Sequence, residues 1–170
     1  MSRHLRMIRY ALPILLLLAA ATAPAGDTAE PAPWRAEVLR QVAAAEAPRW
    51  DAALPGLRLA GDIATVRIGR SRAAAPASDA DGLIIAIRTP GKPHLEGLYL
   101  TVGTRRIEIP LHPDGETQVR DEATDTTSRV KAGTYAVVTT VGDDIHVRLS
   151  PAFLALVTGH FEIHWVDYYR

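Results

Sequence analysis

The stretch "TYAVVTTVGDDIHVRLS", Thr134 to Ser150, sets the architecture. Two runs rich in β-branched residues flank Gly142-Asp143. A two-residue connection containing glycine between such runs reads as a tight hairpin. In the second run Ile145, Val147 and Leu149 share one face, while Asp144, His146 and Arg148 share the other. That alternation belongs to an antiparallel strand with one buried and one wet side.

The same signature recurs upstream. "HLEGLYLTV" (94–102) and "RRIEIPL" (105–111) flank Gly103-Thr104, a second tight hairpin, and Pro110 marks a strand end or an edge. "IATVRIG" (63–69) alternates, and "LIIAIRT" (83–89) is apolar enough to be covered on both faces. The polar stretch His112–Gly133 reads as a long loop hiding one short strand near Thr117 to Arg120. Downstream, Ser150 fits a helix N-cap, Pro151 the first helical position and Gly159 the C-terminal cap, giving a helix of about two turns.

Ahead of the strands, "WRAEVLRQVAAAEA" (34–47) is built from good helix formers. Trp34, Val38, Leu39, Val42 and Ala45 recur at helical spacing, between Pro33 and Pro48, so the spacing predicts an N-terminal helix. The expected fold is mainly β: an antiparallel sandwich or small barrel with that helix and a short helix before the last strand. An α+β sheet is the alternative.

The chain begins with a basic segment carrying Arg3, Arg6 and Arg9, followed by the apolar run "ALPILLLLAAATAPA". With Ala23-Pro24-Ala25 this matches a secretory signal peptide over 1–25. The run is about a dozen residues, short of the roughly 20 a spanning helix needs, so no membrane span is expected after cleavage. Residues 26–33 then form a flexible leader and 34–170 a single domain. Removing three arginines leaves 16 basic against 19 acidic residues, a net charge of −3. Nucleic-acid binders usually carry a basic surplus, so nucleic acid is not an expected partner. The chain has no cysteine, which removes thiol catalysis and disulfide stapling and leaves the fold to apolar burial.

No nucleophile elbow, phosphate loop, H-E-x-x-H or dinucleotide fingerprint occurs. Asp79-Ala80-Asp81-Gly82 lacks the ligand run of a calcium loop. The remaining chemistry lies in "HFEIHW": His160, Glu162 and His164 fall on one face of the closing strand. Imidazole and carboxylate suit zinc or copper. On a strand, residues two apart lie about 6.6 Å from each other and residues four apart about 13 Å. Glu162 with one histidine therefore supplies at most two ligands, and His146 is the candidate third. The alternative is the ordinary wet face of a strand. Trp165, Tyr168 and Tyr169 are candidates for a ligand groove, set against core or rim packing.

The expectation is an exported, soluble, β-rich binding or accessory module of a bacterial envelope, periplasmic or secreted. It would act without a cofactor on an envelope protein or a small ligand. The alternative is a metal-binding protein or metal-dependent enzyme using His146, His160, Glu162 and His164.

Overall fold

The computed structural model describes residues 31–41, 46–61, 63–72, 80–89 and 95–166. Residues 1–30, which include the expected signal peptide over 1–25 and most of the expected leader, lie outside them, as do Tyr168 and Tyr169. The strands are β1 (Trp34–Gln41), β2 (Arg49–Asp51), β3 (Gly56–Ala60), β4 (Ile63–Arg70), β5 (Leu83–Arg88) and β6 (Gly97–Val102). They continue with β7 (Arg105–Glu108), β8 (Glu116–Asp121), β9 (Thr126–Lys131), β10 (Ala136–Val141) and β11 (Asp144–Leu149). A single helical turn, α1 (Pro151–Leu154), precedes β12 (His160–Val166). Two sheets pack face to face, one of seven strands in the order β1-β4-β12-β6-β7-β8-β9 and one of five in the order β10-β11-β5-β3-β2. The fold is a mainly β sandwich, as the alternation of apolar and polar residues requires.

One row across the larger sheet shows how period-two patterning builds the core. Val38, Val66, Ile163, Leu100, Ile107, Val119 and Ser128 lie in register on its inward side. Val66, Ile163, Leu100 and Ile107 have no exposed surface. Opposite them the smaller sheet contributes Leu57, Leu59, Ile85, Ile87, Val147 and Leu149. Burying side chains of this size contributes roughly 1.5–3 kcal/mol each, which lets a cysteine-free chain hold its fold.

Both expected hairpins are present. Val102 pairs with Arg105 and Val141 with Asp144. Gly103 and Gly142 take φ of +56° and +60°, while Thr104 and Asp143 stay at negative φ. That is the pattern of a type II′ turn, in which the first central residue must be glycine-like. Ser150 caps α1, accepting a hydrogen bond from the Phe153 amide at 3.2 Å, with Pro151 in the first turn. The helix is shorter than expected and closes at Ala155 rather than Gly159.

The N-terminal segment departs from the expected helix. Residues 34–41 form a strand paired with β4, from Trp34 opposite Arg70 to Gln41 opposite Ile63. Trp34, Ala36 and Val38 turn inward, with Arg35 and Glu37 between them in solvent. Trp34 and Val38 are four apart, a spacing that satisfies both a period of two and a period of 3.6. Leu39 separates the two: a helix would bury it, and here it is 40% exposed. The ladder offered by β4 outweighs the local helix preference. The polar stretch 112–133 also holds more structure than a loop, since β8 and β9 form a hairpin from Glu116↔Lys131 to Asp121↔Thr126.

Candidate functional site

The four histidine and glutamate candidates divide between opposite surfaces. His160, Glu162 and His164 lie on the outer face of the seven-stranded sheet. His146 sits on β11, paired with Thr139 and Ala86, on the outer face of the five-stranded sheet. The hydrophobic core lies between them, so His146 does not join the others. Among the described residues no three His, Cys, Asp or Glu side chains gather as a metal would require.

The β12 residues have other partners. Arg67 donates to Glu162 Oε1 from Nη2 at 2.9 Å and from Nε at 3.2 Å. His164 lies between Thr65 Oγ1, 3.1 Å from Nδ1, and Thr101 Oγ1, 3.3 Å from Nε2. Its ring stacks on Tyr99, with centroids 4.3 Å apart and planes 9° apart. Arg106, on the next strand, lies 4.0 Å from the Tyr99 centroid. Tyr99 is thus covered on both ring faces, and among the described residues this surface offers no open aromatic platform. Burial pushes the His164 imidazolium below its ordinary value of 6.5, with Glu162 opposing the shift and Arg106 adding to it. The ring is neutral at pH 7. Glu162 Oε2 lies 3.5 Å from Nε2, and each ring nitrogen has a threonine hydroxyl that can donate or accept. Trp165 is 3% exposed and belongs to the core, so it does not line a groove.

The outer face of the five-stranded sheet carries a recess of about 370 Å³. Pairing Arg58 with Ala86, and Ala60 with Arg88, brings these four side chains together on one face. The alanines leave the floor low, and Arg58, Arg88, Arg49 and Glu46 form the sides. Asp144, 6% exposed, anchors them. Arg58 Nη1 donates to Asp144 Oδ2 at 2.8 Å, and Arg88 Nε donates to Oδ1 at 2.7 Å. Arg58 Nε also donates to Asp51 Oδ2 at 2.6 Å. That hydrogen bond holds the Asp51 carboxyl below the usual carboxylate range. Bonding to Asp144 raises the Arg88 pKa in turn.

Both Asp144 oxygens therefore accept from arginine, Arg88 bonding through Nε. Among the described residues Arg49 makes no ion pair. The lining thus presents more donors than acceptors. Sequence reading passed over Arg58, Arg88 and Asp144. Their one local sign is an alternation of small and charged residues at outward positions, Gly56-Arg58-Ala60 and Ala86-Arg88, whose convergence depends on pairing between distant strands. Among the described residues no helix is long and apolar enough to cross a membrane. Comparison with protein-family models, with curated proteins and with solved structures finds no match to this chain.

Proposed function

We propose that the chain is an exported binding module that takes a small ligand bearing an oxyanion group, a carboxylate or phosphate, in the recess of the five-stranded sheet. The observation that carries this reading is the placement of Arg58 and Arg88 on the two oxygens of buried Asp144. A guanidinium already held by a carboxylate loses less freedom when it meets a second anion, and planar arginine donors match oxyanion geometry. Arg49, which makes no ion pair among the described residues, adds a third arginine to the lining. Export rests on the basic, apolar and small-residue succession of residues 1–25.

The reading is tested by calorimetric titration of the purified mature chain with small mono- and dicarboxylates and phosphate esters. At least one should bind, more weakly as salt rises. The double variant Arg49→Ala, Arg88→Ala should lose at least about tenfold in affinity, since each charge-assisted hydrogen bond contributes roughly 1.5–3 kcal/mol. No binding across the panel, or equal affinity in the double variant, overturns the ligand assignment. Export has a separate readout: mass spectrometry of the released protein should find Gly26 as its first residue, and an uncleaved chain would overturn it.

A further inference from the structure

We infer that the oxyanion ligand of the five-stranded-sheet recess also carries an ammonium group, so that it is a zwitterion of the small α-amino acid class; this rests on the oxyanion reading and extends it. The charges around the recess divide into two sets. Arg58 bonds to both Asp51 and Asp144, and Arg88 shares Asp144. Two cations and two anions thus balance inside one network. Two charged groups of the lining stand outside it, Arg49 and Glu46. Among the described residues neither side chain makes a hydrogen bond or an ion pair, with the other or with a third group. One unpaired cation and one unpaired anion therefore border the same recess.

Strand register assembles the cationic side over the floor. Arg49 lies opposite Arg58 in the β2–β3 pairing, and Arg58 lies beside Ala86 of β5, so Arg49 and Arg58 share the outer face. Ala60 and Ala86 contribute only methyl groups there, and Ala47 adds a third. An anion alone meets Glu46 as a like charge, which opposes binding. A ligand with an ammonium group meets it as a partner and gains a charge-assisted hydrogen bond. The hydrocarbon of such a ligand has the alanine methyls to rest on. The recess volume of about 370 Å³ is near the lower end of the range for small-molecule sites, roughly 300–1,000 Å³. It suits a ligand of amino-acid size.

Charged residues around a hollow do not by themselves make such a site. The outer face of the seven-stranded sheet has a second recess, of about 310 Å³, lined by Arg106, Glu108, Gln118, Arg120 and Thr127. Its residue types are similar. There Arg120 pairs with Asp125 where both are exposed, at 60% and 81%, and no buried acid borders the hollow among the described residues. Its arginines must be ordered when a ligand arrives, which weakens binding. In the five-stranded sheet buried Asp144 already holds two guanidinium groups in place. The second recess is therefore the internal control for the first.

The test titrates the purified mature chain, by calorimetry, with pairs that differ only in the amine: L-valine against isovalerate, and L-glutamate against glutarate. In at least one pair the amino acid should bind about tenfold more tightly or better, as expected for a hydrogen bond between charged groups. Glu46→Gln should erase this advantage and leave the affinity of the deaminated acid unchanged or higher. Amide NMR with the amino acid bound should shift Ala47, Ala60 and Ala86 and leave Gln118 and Thr127 unmoved. Three results would overturn the inference: deaminated acids that bind as well as their amino acids, an advantage that survives Glu46→Gln, or shifts confined to Gln118 and Thr127. In the first two cases the oxyanion reading stands if Arg49→Ala, Arg88→Ala still weakens isovalerate or glutarate. No binding by any of the four overturns the zwitterion, and the oxyanion reading falls with it only if phosphate esters fail as well.

Discussion

His164 has a threonine hydroxyl at each ring nitrogen, an aromatic ring against its face and a carboxylate at its edge. The hydroxyls suit a neutral imidazole, and burial, against the pull of Glu162, lowers its proton affinity below the ordinary 6.5. As pH falls through that ordinary value, the unfolded chain takes up the proton before the folded chain does. Stability present above about pH 6.5 therefore declines on acidification, and the decline levels off once the folded ring also protonates. His164→Gln has no proton to gain. Urea melts at about pH 7.5 and pH 5 should show a larger acid loss for the parent protein than for this variant, and equal losses would refute the account. Alternation alone places His164 on the outer face. Its partners Thr65, Tyr99 and Thr101 come from strands far away in the chain, so its environment is set by pairing that no local pattern carries. The same separation hides the Asp144 cluster, where Arg58 and Asp144 meet across 86 positions.

At the scale of the element, β12 is held by its inward side. Phe161 is fully buried and meets Phe153 of α1 at 5.1 Å and Trp34 of β1 at 6.2 Å, both edge to face. It thus ties the closing strand to the capped turn before it and to the opposite end of the chain. Phe161→Ala should cost about 3–5 kcal/mol in chemical denaturation, a large part of the stability of a domain this size. A loss below about 1 kcal/mol would mean the cavity collapses freely. The elements most legible in the sequence are those specified by short-range chemistry: the glycine-initiated hairpins at 103 and 142, the Ser150-Pro151 helix start, and the period-two faces of β11 and β12. β1 misleads because alanine, glutamate and arginine favour helix locally, while Trp34 and Val38 fit either period. Exposed Leu39 marks the strand only once β4 lies alongside. β8 and β9 are obscured by their polar composition, in which only Thr117, Val119 and Val130 mark the inward side.

The whole molecule is knitted by repeated crossing between sheets. The chain leaves the five-stranded sheet after β3, runs through β4 in the other, and returns as β5 parallel to β3. It crosses again from β5 to β6, from β9 to β10 and from β11 to β12. Neither sheet can assemble from a continuous stretch, so the domain should unfold as one cooperative unit. Far-ultraviolet dichroism and tryptophan fluorescence should give coincident thermal transitions, because Trp34 and Trp165 report on one sheet and Trp50 on the other. Separated midpoints would refute this. Such topology is out of reach of patterning, which identifies strands but not their neighbours.

The place of β12 also bears on how the molecule is made. It pairs with β4 on one side and β6 on the other, joining two halves of the larger sheet that do not otherwise touch along their edges. It is also the last of the described strands to be translated. Until residues 160–166 emerge, β1 with β4 and the meander β6 to β9 are separate pieces with unsatisfied flanks. The larger sheet therefore closes only when residues 160–166 enter the gap between β4 and β6.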